Sequence, residues 1–291
     1  MNAKRLVALV SCAFLASLLV AAPRAARGAD VSGVLFPVPF TVEHALVQTD
    51  ADSSQFHTDA VTDTYGGSHL VSVRPGGSRV IVDFARREIT EVSVEKSTYW
   101  TLSFSQMGEL SRRLAKAEQR PSAASARTPN ATAKQDIRVE EVTGVGRDRL
   151  AAPGDTAPRV GTRHFRASVE SGPSADVWVD GTVRLSRAAL DALDSFDGDA
   201  LGSAAPLTVS PAQLVGAARR AGGAFPVHVR RTLGASGGTL DDTAYSLTLL
   251  PVFPQKLLVI GDGFRRVPSP LEVMAAFAEE EASRDSSRLV K

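Results

Sequence analysis

The 291-residue sequence predicts an α+β fold built on one extended antiparallel β-sheet with helices laid over it. Three observations lead there. Apolar and polar residues alternate in short runs separated by turn residues, most clearly from Ser68 to Phe104. Apolar spacing of three and four residues interrupts these strands at only four places, so strand and helix do not alternate as a parallel α/β fold requires. Basic and acidic residues balance at 33 and 32, and 43% of the chain is hydrophobic. That is the composition of a folded globular protein with no overall pull toward nucleic acid or an anionic membrane.

The chain opens MNAKR, then LVALVSCAFLASLLVAA, then a Pro/Arg/Ala segment ending RGAD. This is the basic, apolar, small-residue order of a secretory signal peptide, here residues 1–29, and it implies a secreted protein. An uncleaved anchor is the competing reading, since about 17 apolar residues sit at the short end of a bilayer span. Leu9, Val10, Ser11 and Cys12 also spell a lipoprotein-processing site. Only Leu6 to Ser11 precede that cysteine as an apolar core, and such a core needs about seven residues, so plain cleavage is the stronger expectation. Cys12 is the only cysteine, which leaves the processed chain without disulfides, thiolate metal sites or a cysteine nucleophile. No later run is apolar and long enough to span a membrane as a helix.

From residue 30 the elements follow in order. Pro37 and Pro39 limit pairing, which places the first strand at Phe40 to Thr49. The segment Phe56 to Tyr65 alternates but is polar on both faces, the pattern of an exposed edge strand. Strands follow at Ser68 to Arg74, Arg79 to Phe84, Ile89 to Val94 and Thr98 to Phe104, with Pro75, Gly76 and Gly77 supplying a hairpin turn. In this register one sheet face collects Val80, Val82, Phe84, Val92, Val94, Trp100, Leu102 and Phe104, a surface too apolar to be bare. Ser105 is placed to cap a covering helix through Met107, Leu110, Leu114 and Ala117.

Residues 121–135 are Pro/Ser/Ala-rich and read as a flexible loop, carrying an Asn130-Ala131-Thr132 triplet that matters only in a eukaryotic secretory pathway. Strands resume at Ile137 to Val145, His164 to Glu170 and Ala175 to Asp180. Ser186 and Pro211 open two helices, the second ending at Gly222 and Gly223. Strands are then expected at Phe225 to Thr232, Thr243 to Val252 and Lys256 to Ile260. The last helix has the capping signature Ser269, Pro270, Glu272 and ends near Arg284, leaving 285–291 as a disordered tail. Residues 30–284 are read as a single domain, because neither side of the 121–135 loop carries enough apolar sequence for a core of its own.

The segment GGSRVIVDFARREITEVSVEKSTYWTLSF, with GTRHFRASVESGPSADVWVDG and GGAFPVHVRR further on, resembles a bacterial family of unknown function related to the LolA and LolB type of periplasmic lipoprotein carrier. The match consists mainly of turn and core residues. One departure is that the carriers open with a helix, whereas this chain opens with proline-broken strand, and no arginine here matches the carriers' lid-closing arginine. The resemblance implies an incomplete, curved antiparallel barrel with helices over its concave face, a shape suited to acyl chains.

On that basis the candidate ligand-binding face is Val80, Val82, Phe84, Val92, Trp100, Leu102, Phe104, Phe165 and Trp178. The competing reading is that these side chains fill the core. No catalytic residue is assigned: the five histidines are scattered, and no nucleophile elbow, zinc-protease or phosphate-loop motif occurs. His57, Asp59 and Asp63 share a strand face, but with no second histidine near they are read as exposed polar residues and no metal site. The expected function is a non-enzymatic envelope protein, without cofactor, that holds a lipidic or lipoprotein ligand. The alternative is a secreted module that binds an envelope protein partner at the edge strand Phe56 to Tyr65, with a filled core.

Overall fold

The computed structural model describes residues 33–49, 55–57, 60–118, 136–143, 162–170, 172–196, 211–233 and 238–288. The signal segment with Cys12 and the 121–135 loop lie outside these residues. The described chain is an α+β fold with one extended, curved, mostly antiparallel sheet that does not close, and four helices on it.

The strands are β1 (Phe36–Thr49), β2 (Gln55–His57), β3 (Val61–Gly67), β4 (His69–Val73), β5 (Arg79–Asp83), β6 (Glu88–Ser93) and β7 (Thr98–Ser103). Helix α1 (Phe104–Glu118) follows, then β8 (Arg138–Glu141), β9 (Thr162–Ser168) and β10 (Ser174–Arg184). The remainder is α2 (Arg187–Ser195), α3 (Pro211–Gly222), β11 (Ala224–Leu233), β12 (Gly238–Leu249), β13 (Arg265–Arg266) and α4 (Pro270–Arg288). Across the sheet the order is β13-β7-β6-β5-β4-β3-β1-β12-β11-β10-β9-β8, with β2 paired to β1. Every pairing is antiparallel except β13 with β7.

The hairpin signals hold locally. Gly76 and Gly77 take φ values of 83° and 81°, which a side chain would resist. The cap of α1 is Ser103, two residues ahead of the expected Ser105: Gln106 N donates to Ser103 Oγ, and Ser103 N donates to Gln106 Oε1. This reciprocal box wins because it satisfies two backbone donors at once.

Other expectations are corrected. The first strand begins at Phe36, with a pairing irregularity between Phe36 and Phe40 absorbing the prolines. Phe56 to Tyr65 is not one edge strand: it divides into β2, which pairs with β1 alone, and β3, which lies between β1 and β4 with Val61, Thr64 and Tyr65 buried. In β3, Asp63 and Thr64 find His44 and Thr41 inside the sheet. The expected strand at Thr243 to Val252 is shifted to β12, and Lys256 to Ile260 is a 3-10 turn over Gln255–Leu258. Helix α4 runs to Arg288, past the Arg284 end expected from sequence.

Register fixes which residues share a face, because directly opposed residues point the same way. Leu70, Val82, Ile89 and Leu102 align across β4 to β7 and face the helices. The main core there contains Val82, Phe84, Trp100, Leu102 and Phe104, with Val80 packed against it. Val71, Ile81 and Val92 lie on the opposite face, where Phe253, Leu257, Ile260 and Phe264 cover them. Val92 therefore leaves the candidate face, and Val94 sits in a turn, 39% exposed. The aligned pairs Val82–Ile89 and Tyr99–Val92 put the even positions of β5 with the odd positions of β6, so Val92 cannot join Val82.

Phe196, at the end of α2, reaches Phe84 and Phe104, with ring centroids at 6.0 and 5.1 Å. A helix that follows β10 thus touches residues beside β5 and β7, which requires the sheet to curl around it. A second core, Phe165, Ala167, Val177, Val179 and Val229, packs under Leu214, Val215 and Ala218 of α3.

Candidate functional site

The candidate apolar face does not assemble as one surface. Val80, Val82, Phe84, Trp100, Leu102 and Phe104 belong to the main core, Phe165 to the core beneath α3 and Val92 to the outer face, while Trp178 is contiguous with the main core but points away from α3 with His164 and His228. Phe165 opposes Val177, whereas Trp178 opposes His164, so Phe165 and Trp178 point to different sides. Trp178 stacks between the imidazoles of His164 and His228, at centroid separations of 4.2 and 4.3 Å.

Two spaces adjoin the sheet's helix-bearing face. The first is a groove of about 290 Å³ between α1 and α4. Its floor is Leu102, Leu110, Ala275 and Ala276, and its rim carries Gln106, Glu109, Arg113, Glu272 and Glu279. Arg113 and Glu279 pair across it in the open. Helix α4 is held lightly: Leu271 and Ala275 are buried, while Val273, Met274 and Phe277 are 41%, 40% and 63% exposed. At about 100° per residue the exposed apolar stripe lies well over a quarter turn from the buried one.

The second space, about 110 Å³, lies among β1, β3, β11 and β12 under α2 and α3. Val42, Tyr65, Leu193, Phe225 and Val227 give it apolar walls, and His44, Asp63, Asp242 and Arg219 give it charge. His44 Nδ1 donates to Asp242 Oδ1 at 2.7 Å. Its Nε2 lies 3.3 Å from Asp63 Oδ2, off line for a hydrogen bond. Burial favours the neutral imidazole, but the charge and hydrogen bond of Asp242, with Asp63 acting in the same sense, outweigh it and push the His44 pKa up to about 11. Asp242 is held below the usual carboxylate range: burial opposes this, and the His44 charge and hydrogen bond overcome it. Arg219 is matched by Asp194 of α2, which also pairs with Arg220.

Sequence reasoning missed this pattern. All four histidines with described side chains face an aspartate across strands: His44 as above, His69 with Asp83 at 3.5 Å, His164 with Asp176 at 2.8 Å and His228 with Asp241 at 3.0 Å. A carboxylate has only lone pairs to offer, so each close imidazole nitrogen at Asp176 and Asp241 carries the proton. The pairs of His69, His164 and His228 each join consecutive strands and were readable from hairpin register; only the His44–Asp242 pair joins strands far apart in sequence. Of the residues weighed as a metal site, Asp63 is committed to His44, and the side chains of His57 and Asp59 lie outside the described residues. Among the described residues no cluster of three or more His, Cys, Asp or Glu is arranged for a metal ion, and no helix is long and apolar enough to cross a membrane.

No family model matches the sequence, and no curated protein matches it. Solved structures match it only at low identity and low TM-score. An uncharacterized conserved protein from Thermus thermophilus is 8% identical with a TM-score of 0.36, over 79% of this chain and 89% of that one. PNGF-II is 10% identical with a TM-score of 0.34, over 83% of this chain and 33% of its own length. A LolA superfamily protein from Nitrosomonas europaea is 12% identical with a TM-score of 0.30, over 78% of this chain and 92% of that one. None of the three transfers a residue or an activity to this chain.

Proposed function

We propose that the protein is a non-enzymatic binding protein of the cell envelope that holds a lipidic or lipoprotein-borne acyl chain between its sheet and α4. The supporting observation is the way α4 sits: it buries Leu271 and Ala275 and leaves Val273, Met274 and Phe277 outside. Burying a Val, Met or Phe side chain is worth about 1.5–3 kcal/mol, so the helix holds more apolar stabilisation in reserve than it uses. An acyl chain entering the groove over Leu102 and Leu110 would meet an apolar floor, and a rolled α4 would close over it with its second stripe. The ion pair Arg113–Glu279, exposed at the rim, is a weak latch against such a movement.

Native mass spectrometry of the purified full chain tests the proposal, together with quenching of tryptophan fluorescence by a spin-labelled fatty acid. Co-purified acyl lipid and quenching of Trp100, which shares the main core with the groove residues Leu102 and Leu110, are the expected results. A protein that is consistently empty and unquenched would refute the reading. Strand addition by a protein partner is the second reading. Its site moves from Phe56–Tyr65 to β8, which ends the sheet among the described residues with all four residues exposed. Photocrosslinking from position 139 would capture such a partner.

A further inference from the structure

Strand β8 ends the sheet among the described residues, and a row of charges runs toward that edge. Register aligns Glu140, Arg166, Asp176, Arg230 and Asp241 on successive strands of the outer face, with alternating sign. Arg166 Nε donates to Asp176 Oδ1 at 2.9 Å, Arg230 Nε donates to Asp241 Oδ1 at 2.7 Å, and the Glu140 charge bears on Arg166 from the other side. The row thus reaches the edge with a carboxylate outermost. On the same face of β8, two residues back, Arg138 has no ion pair among the described residues. Charges of one sign or a proline would turn a second strand away from such an edge. Strand β8 instead has opposite signs at positions 138 and 140, no proline, and all four residues exposed.

Backbone direction restricts how a strand can add there. Val142 N donates to His164 O, and alternation along the ladder makes Glu140–Arg166 and Arg138–Ser168 hydrogen-bonded pairs as well. Val139 and Glu141 therefore turn their N–H and C=O groups out of the sheet. We propose that β8 pairs antiparallel with β8 of a second copy of this chain, Val139 opposite the partner's Val139 and Arg138 opposite the partner's Glu140. The inference rests on the strand-addition reading and names its partner. In a two-fold pairing, outward residues must oppose outward residues, which leaves registers centred on Arg138, Val139 or Glu140. The first sets Arg138 against its own copy and the third sets Glu140 against its own copy, both like-charge contacts. Only the Val139 centre gives two Arg–Glu pairs. It also carries the alternating row past Glu140 to the partner's Arg138, and it gives Val139, which lies beside fully buried Ala167, an apolar neighbour.

Sedimentation velocity of the purified full chain over a range of concentrations is the test, and a monomer–dimer equilibrium is expected. Arg138→Glu makes positions 138 and 140 both negative, and Glu140→Arg makes both positive. Each variant alone should weaken dimerisation at least about tenfold, because like charges then meet at both pairs. Mixed in equal amounts the two should form a heterodimer about as tight as the wild-type dimer, since each supplies the charge the other lacks. Val139→Pro removes the outward N–H, leaves the bonds to β9 in place and should abolish dimerisation. Should a charge variant fail to fold, a photocrosslinker at position 139 of the purified chain should give a crosslinked dimer joined through β8. A wild type that stays monomeric, a dimer indifferent to Arg138→Glu and Val139→Pro, or charge variants that do not complement each other would each overturn the second copy. A monomer whose position 139 crosslinks to a different envelope protein would leave strand addition standing with another partner. A monomer that crosslinks to nothing would overturn both.

Discussion

The outer face of the sheet, away from the four helices, is built in two ways. Over β4 to β7 it is apolar: Val71, Ile81 and Val92 are sealed by Phe253 and the turn that follows it. Over β9 to β12 it is polar: Trp178 lies between His164 and His228, with Asp176 and Asp241 bound to those imidazoles and to Arg166 and Arg230. Trp178 and His228 are nevertheless only 6% and 8% exposed. One sheet thus buries one half of its outer face by covering it with chain, and the other by letting charged side chains satisfy one another across strands. A polar alternating strand is therefore no evidence of exposure, and an apolar one is no evidence of facing the helices.

The largest expected effect tests the covered half. Gly66 leaves room for Phe253, whose ring a Cβ at that position would overlap. Phe253→Ala should cost about 3–5 kcal/mol in urea unfolding, the usual loss for a buried phenylalanine. In the polar half, Trp178→Leu keeps apolar bulk and gives up two ring stacks, each worth about 0.5–1.5 kcal/mol, so about 1–3 kcal/mol is expected. If Phe253→Ala proved the milder change, the apolar cover would not be a structural half of the protein, and the comparison would fail.

His44 joins the two halves, bridging β1 to β3 and β12 from the helix-bearing side. Its folded pKa, about 11, stands above its unfolded value, so its contribution is complete below about pH 6.5 and lost as pH rises toward 11. Stability should decline across that window with a slope of up to about 1.4 kcal/mol per pH unit, measured by urea midpoints. His44→Asn should remove this slope. A wild-type curve already flat from pH 7 to 10 would show that the clamp does not favour the folded state.

The contrast also explains what the sequence disclosed. Local chemistry came through: the Gly76-Gly77 turn, the Ser186 and Ser269 caps, and the alternation that placed Trp100, Leu102 and Phe104 together all depend on residues within a few positions of each other. The fold class followed from these. What failed depended on residues far apart. Val92 needed the β5–β6 register, which a turn at Ala85 to Arg87 displaces by one position from the expected pairing. Phe56 to Tyr65 looked exposed because Asp63 and Thr64 find His44 and Thr41 only after β1 pairs with β3. Lys256 to Ile260 alternates like a strand, yet its apolar residues serve as a lid on β4 to β7. The polar cavity joins β1, β3 and β12, and no window of sequence contains it.

The smallest effect concerns how firmly the helices are fastened. Helix α4, over the first half, starts with a complete box: Ser269 N donates to Glu272 Oε2 at 2.6 Å and Glu272 N to Ser269 Oγ at 3.1 Å, with Ser269 fully buried. Helix α2, which reaches from the second half to Phe84, has a single cap bond from Ala189 N to Ser186 Oγ. Either serine replaced by alanine should cost about 1 kcal/mol, but the loss should appear in different places. Because the described side chains of α4 bury only Leu271 and Ala275 of its apolar residues, Ser269→Ala should speed amide exchange within α4 and barely move the global midpoint. Ser186→Ala should shift the midpoint itself, since Leu190 and Leu193 tie α2 into the main core. Equal midpoint shifts from the two would mean that α4 unfolds only with the sheet, and the opening that the acyl-chain proposal requires would then lack its physical basis.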